Sequence, residues 1–86
     1  EKAMMKRKRT YPEKGKMNPY IYLELLLETL DVEGKYYFEG VEDTIEEEIA
    51  LEFIEDPEDV AFTLNYLEQM NLLVRNENYI QLVKII

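Results

Sequence analysis

The stretch from Thr44 to Leu82 constrains the fold more than any other part of the chain. It opens with a capping box, Thr44 and Glu47 in a Thr-x-x-Glu arrangement, where the hydroxyl accepts from a free amide of the first turn. Ile45, Ile49 and Phe53 recur four apart with Ala50 on the same side, which predicts an amphipathic helix. A turn follows at Ile54-Glu55. Asp56-Pro57 then starts a second helix, because aspartate caps free amides and proline loses nothing at the first helical position. Val60, Leu64 and Leu67 form its apolar stripe, and Asn71 is placed to close it in the left-handed conformation. Two β-rich runs, Leu72-Leu73-Val74-Arg75 and Tyr79-Ile80-Gln81-Leu82, flank the polar loop Asn76-Glu77-Asn78 and predict a hairpin. Two helices joined by a tight turn and followed by a two-stranded ribbon make a winged helix-turn-helix.

Upstream, Asn18-Pro19 repeats the cap-then-proline signal. In the helix that follows, Tyr20 to Leu30, the polar residues are Glu24, Glu28 and Thr29. An apolar arc that wide predicts a central helix, with Leu25–Leu27 in the core. Gly34 falls just past its end, where a left-handed residue is expected. Lys35-Tyr36-Tyr37-Phe38, bounded by Gly34 and Gly40, suits a short strand. Thr10 to Met17 contains Pro12 and Gly15 and reads as a loop. Lys2 to Arg9 suits a short helix with Ala3, Met4 and Met5 on its apolar side. The expected fold class is mostly α with a small β-wing (α+β). Residues 1–17 are expected to form a basic N-terminal arm or partial first helix, and residues 18–86 a winged-helix domain. The chain starts at Glu1 rather than Met and stops on Val83-Lys84-Ile85-Ile86, so it reads as a fragment of a longer cytoplasmic protein. At 86 residues it buries roughly 60–65% of its unfolded surface, enough for one modest core.

Charge is segregated along the chain. Residues 1–16 carry Lys2, Lys6, Arg7, Lys8, Arg9, Lys14 and Lys16 against Glu1 and Glu13, a balance of +5. The remainder carries Lys35, Arg75 and Lys84 against seventeen acids, a balance of −14, and has no Lys or Arg from Tyr36 to Val74. Cys, His, Ser and Trp are absent. Their absence excludes disulfides, thiolate or imidazole metal sites and every Ser, Cys or His triad within this chain. The longest unbroken apolar run, Tyr20 to Leu23, is far short of the ~20 residues of a membrane span.

Several segments, in order, are similar to one family. Ile21-Tyr22-Leu23-Glu24-Leu25-Leu26-Leu27, Gly34-Lys35-Tyr36-Tyr37-Phe38-Glu39-Gly40, the Glu-rich Thr44–Phe53, Val60–Asn71 and Leu72-Leu73-Val74 resemble the N-terminal domain of phage replisome organisers. Those proteins are related to the DnaD-like replication-initiation proteins of Gram-positive bacteria and their phages. The resemblance covers Asn18 to Leu82 and includes no catalytic signature. It implies a non-enzymatic winged-helix module of a larger replication-initiation protein in a bacterial host cell, phage or prophage in origin. It also implies DNA binding, self-association into a homo-oligomer, and contacts with replication proteins such as a helicase loader.

The residues qualify that expectation. A recognition helix normally enters the major groove N-terminus first. Here Glu55, Asp56, Glu58 and Asp59 would arrive first at a polyanion, and no basic residue lies beside Asn65 or Gln69 to hold the helix in place. The better nucleic-acid candidates are Lys6, Arg7, Lys8 and Arg9, with Lys14 and Lys16, as a phosphate-tracking or minor-groove arm, and Arg75 from the wing. The same arm could stay solvated, or dock on the acidic body of a second copy. The seven tyrosines read as core or interface aromatics before a base-stacking surface. The acidic clusters lack calcium-loop spacing, so no metal and no cofactor are expected. One small core leaves little room for a pocket of ~300 Å³, and no enzyme is expected. Two alternatives stay open: an oligomerisation or protein-interaction module with no DNA affinity of its own, and a winged-helix transcription regulator.

Overall fold

A computed structural model describes residues 16–83. The expected helix at Lys2–Arg9 and most of the basic arm lie outside the described residues. The described chain folds into three α-helices and a small antiparallel sheet.

Helix α1 spans Pro19–Glu28, and its first turn is fixed as expected: the Asn18 side chain accepts from the Tyr20 amide at 3.0 Å and Pro19 sits at the start. It stops two residues earlier than the apolar pattern suggests. The Thr29 amide and hydroxyl both return to the Leu25 carbonyl, and a 3₁₀ turn over Leu30–Val32 tightens the exit. Glu33 and Gly34 then both adopt positive φ. Gly34 is required on a second ground: a Cβ there would meet the Leu82 carbonyl oxygen at 2.7 Å.

That close approach joins strand β1, Lys35–Tyr37, to the hairpin. The hairpin consists of β2, Leu73–Arg75, and β3, Tyr79–Leu82. Strand order is β1-β3-β2, all antiparallel, with Tyr36 opposite Ile80 and Val74 opposite Gln81. The wing is therefore three-stranded rather than the expected two-stranded ribbon, because the short aromatic strand supplies the second partner for β3. The Asn76–Asn78 loop is the expected one, tied by Asn76 N–H to the Tyr79 carbonyl at 2.9 Å and by Asn78 N–H to Asn76 Oδ1 at 3.1 Å.

Helix α2 spans Ile45–Phe53 and α3 spans Pro57–Gln69. Both caps form: Thr44 Oγ1 accepts from Glu47 N–H at 3.1 Å, and Asp56 Oδ1 from Glu58 N–H at 2.9 Å. Asn71 closes α3 at φ 64°. The order α1-β1-α2-α3-β2-β3 is that of a winged-helix-like α+β fold.

The core joins Ile21 and Leu25 of α1, Ile49 and Ala50 of α2, Val60, Leu64 and Leu67 of α3, and Leu73, Ile80 and Leu82 of the sheet. Helix α3, not α1, is the central element. It buries Val60, Ala61, Thr63, Leu64 and Leu67, whereas α1 buries Ile21 and Leu25 alone. Of the Leu25–Leu27 run expected in the core, Leu25 is buried, Leu26 half-buried and Leu27 exposed. One small core has room for one stripe of α1, so its opposite side stays outside. Among the tyrosines, Tyr22 and Tyr36 pack against the core, as expected. None of the six in the described region is fully buried; Tyr36 packs edge-on against Phe53 at 6.2 Å, and Tyr37 and Tyr79 pair at 5.3 Å on the outer sheet face.

Candidate functional site

The helix-turn-helix corner is built from the end of α2 and the start of α3. Ile54 closes α2 in the left-handed conformation, φ 58°, and lets the chain reverse within three residues. Glu55, Asp56, Glu58 and Asp59 then surround the N-terminus of α3, whose partial positive charge favours them there. Three of these carboxylates are already engaged. Asp56 caps its own helix, Asp59 Oδ1 accepts from the Lys16 backbone amide at 3.0 Å, and Glu55 Oε1 accepts from Asn18 Nδ2 at 3.4 Å. Asn18 N–H also donates to Thr63 Oγ1 at 2.8 Å. The segment leading into α1 is thus stitched to the opening of α3 through Lys16 and Asn18.

The candidate contacts are held on different elements. Lys16 lies at the α3 N-terminus. Arg75 lies on β2, where Nη1 pairs with Glu46 Oε2 at 3.0 Å and Nε with Glu68 Oε1 at 3.3 Å. It pins the wing to α2 and α3, and it would have to give up two carboxylates to reach a phosphate. Lys6, Arg7, Lys8, Arg9 and Lys14 lie outside the described residues. On α3, Gln69 is exposed and Asn65 half-buried.

Sequence reasoning overlooked Glu48. Within the Glu46-Glu47-Glu48 run it is the buried member. Its two oxygens accept from the amides of Glu39 at 2.9 Å, Val41 at 2.5 Å and Glu42 at 3.1 Å. Burial alone would raise its pKa, but these amides outweigh burial and hold it below the ordinary carboxylate value. The signal in the sequence was its position three residues after Ile45, which packs against the core, and directly before the core-facing Ile49. Nearby, the Tyr36 hydroxyl donates to Glu52. Burial, followed by that hydrogen bond and the surrounding carboxylates, pushes its phenol pKa well above the usual value near ~10.

The surface carries larger hollows than the length suggested. One cleft of about 550 Å³ lies between the end of α1, β1 and α2, lined by Glu28, Glu39 and Glu52 with Lys35 and Tyr37. Another of about 570 Å³ lies at the corner, lined by Leu51, Ile54, Glu55 and Pro57. Both are open to solvent. Among the described residues no three acidic side chains are grouped to hold a metal ion, and no helix is long and apolar enough to cross a membrane.

The arrangement presents a body whose acids are partly consumed as caps and anchors and whose wing arginine is neutralised. Comparison with known proteins bears directly on that arrangement. Residues 1–85 match the family described as the N-terminal phage replisome organiser, a span that includes the basic segment as well as the folded body. No curated protein and no solved structure matches.

Proposed function

Given that the chain belongs to the N-terminal phage replisome organiser family, whose role is in replication initiation, we propose that it divides that task between its two charged parts. The basic segment, Lys6, Arg7, Lys8, Arg9, Lys14 and Lys16, contacts nucleic-acid phosphates. The acidic winged-helix body makes protein contacts with the replication machinery, a helicase loader among the partners that the resemblance implies. No catalytic step is assigned to either part. The DnaD-like replication proteins are the related group this reading draws on, and a bacterial cytoplasm is the compartment it assumes.

One observation carries the reading: the corner that would lead into a major groove is occupied by Glu55, Asp56, Glu58 and Asp59, while the backbone of Lys16 is fixed to it. A duplex carries one phosphate charge per ~1.7 Å of axis. That field repels the corner and attracts the segment anchored there. Arg75 contributes as a phosphate contact only by exchanging its two carboxylate partners.

The test is a titration of the chain with single- and double-stranded DNA at two salt concentrations, repeated after removal of residues 1–16. Binding that falls steeply with salt and disappears on truncation supports the reading. Unchanged binding by the truncated chain overturns the arm assignment. The absence of DNA binding by the intact chain favours a body that works through protein contacts alone, a reading supported by the apolar surface that α1 leaves uncovered. A strong preference for one selected sequence would instead favour a transcription regulator.

A further inference from the structure

Helix α2 turns one face to the core and leaves the other bare. Ile45, Ile49 and Phe53 face inward, while Glu47, Leu51 and Ile54 follow at four and three residues on the opposite side. Leu51 is 63% exposed and Ile54 89%. Leu51 lines both surface clefts, so it forms a ridge between two hollows. Val41, 73% exposed, joins it on the side of β1, and Ile54 with Pro57 on the side of the corner. Single exposed apolar side chains are ordinary on a soluble protein; a contiguous group set between hollows marks a contact surface. Ile54 also holds left-handed backbone, where a β-branched residue is rare, and its side chain gains no burial in return. Nothing within the chain offsets that strain, which points to a contact outside it.

The borders of the ridge are acidic. Glu42, Glu47 and Glu55 line the corner hollow, and Glu28, Glu39 and Glu52 line the other. From Tyr36 to Val74 the sequence contains no Lys or Arg. Lys35 and Arg75, the cations flanking that stretch, are engaged elsewhere. The Lys35 ammonium lies over the Tyr79 ring, 5.2 Å from its centroid, and Arg75 is bound by Glu46 and Glu68. The Tyr36 phenol registers the resulting field: burial first, and then Glu52, Glu48 and Glu28, make it hold its proton more tightly.

We infer that this ridge is the docking surface for a basic amphipathic segment of a partner protein, one whose bulky apolar side chain covers Leu51 and Ile54 while Lys or Arg on either side of it reach the carboxylates of the two hollows. The inference rests on the protein-contact half of the proposed function and gives that partner its chemistry.

Charge selects this occupant over the others. A nucleic acid is repelled by six carboxylates around the ridge. The same face of a second copy would set those carboxylates against their own kind. A neutral apolar segment would strip water from them and return no hydrogen bond. Lysine and arginine meet both requirements, because their stems lie along apolar surface while their heads extend to a charged partner. The bonds they then make, from a cationic donor to a carboxylate, are among the stronger ones at a protein surface.

The test is a titration of the intact chain with a short synthetic peptide, leucine on one side and lysine on the other, followed by amide shifts in nuclear magnetic resonance. The counter-probe is the same peptide with glutamate for lysine. Shifts should centre on Val41, Leu51 and Ile54, and affinity should fall as salt rises from ~50 to ~500 mM, a range over which the screening length contracts. Leu51→Ser should weaken binding roughly tenfold with an unchanged circular dichroism spectrum, since Leu51 is outside the core. Glu39→Gln with Glu42→Gln should weaken it less and flatten the salt dependence. Ile54→Gly should weaken binding while raising the melting temperature, a split that a purely structural role would not produce. A Leu51→Ser chain that binds as tightly as the wild type, or shifts confined to α1 or the sheet, overturns the ridge and leaves the protein-contact reading standing. Equal binding of the glutamate peptide overturns the basic chemistry. Self-association of the wild type that Leu51→Ser abolishes puts a second copy on the ridge and overturns the partner assignment. No shift at millimolar lysine peptide overturns the inference, and the DNA titration still decides the proposed function.

Discussion

Helices α1 and α3 begin alike and are used differently. Each opens with an Asx cap followed by proline, Asn18-Pro19 and Asp56-Pro57. Helix α1 is far the more apolar, yet α3 forms the centre of the molecule. The difference lies in pattern. Helix α3 buries Val60, Ala61, Thr63, Leu64 and Leu67 and turns Glu68 and Gln69 outward, so its periodicity specifies one orientation against one core. Helix α1 has apolar residues on two sides, and one small core can absorb one of them. Excess hydrophobicity here marks a second surface rather than deeper burial.

The largest expected effect tests this contrast with one residue type at two sites. Leu64 is fully buried, and Leu64→Ala should cost ~2–5 kcal/mol, the range for emptying a packed core site. Leu27→Ala on the outer face of α1 should change the stability of the monomer by no more than about 0.5 kcal/mol. Urea unfolding at concentrations low enough to suppress association measures both. Comparable losses at the two sites would abolish the distinction between the helices.

Glu48 sharpens the contrast from the opposite direction, as a carboxylate that is buried although it belongs to a run of three glutamates. Replacing it by Gln points an amide NH₂ at backbone donors and should cost ~1–3 kcal/mol at neutral pH. The pH dependence follows from the direction of its shift. Its folded pKa lies below the unfolded value of about 4.3, so its stabilisation is complete above that value and is lost as pH falls through the folded pKa. The stability gap between wild type and Glu48→Gln should therefore be widest at pH 7 and narrow towards pH 3. A gap independent of pH would mean that the three amides do not favour the charged form.

The caps come next in size. Asp56→Ala and Asn18→Ala should each cost about 1 kcal/mol. Asn18→Ala should cost the more of the two, because its side chain also donates to Glu55 across the α2–α3 corner. Equal losses would mean that this cross-link contributes nothing beyond the cap. Thermal melts of Asn18→Ala, Glu55→Ala and the double variant isolate the cross-link, since coupled residues depart from additivity.

Much of this architecture was legible in local chemistry. Thr44, Asp56 and Asn18 announce the helix starts, Asn71 ends α3, and Asn76–Asn78 marks the hairpin, because caps and turns depend on a few neighbouring residues. What depends on distant partners was not legible. The pairing of β1 with β3 rests on the approach of Gly34 to Leu82, 48 residues away. The burial of Glu48 rests on a loop folding back over α2. The neutralisation of Arg75 rests on Glu46 and Glu68 converging from two helices. Charge segregation was plain in composition, but the fixing of the Lys16 backbone to Asp59 required the fold.

The smallest expected effect lies at the corner between the helices. Ile54 holds φ 58°, and its side chain is 89% exposed. A residue with a Cβ pays roughly 1–2 kcal/mol in the left-handed region, and a β-branched one is especially rare there. Helices commonly place glycine at this position. Ile54→Gly should remove that strain while forfeiting almost no buried surface, and glycine's greater freedom in the unfolded chain takes back ~0.5–1 kcal/mol. The net expectation is a gain of up to about 1 kcal/mol. Ile54→Ala keeps the Cβ and should gain less, which separates left-handed strain from the effect of removing an exposed apolar side chain. A loss on Ile54→Gly would show that the isoleucine packs on the corner more than its exposure indicates. It would then belong with the buried residues of α3 and not with the uncovered face of α1.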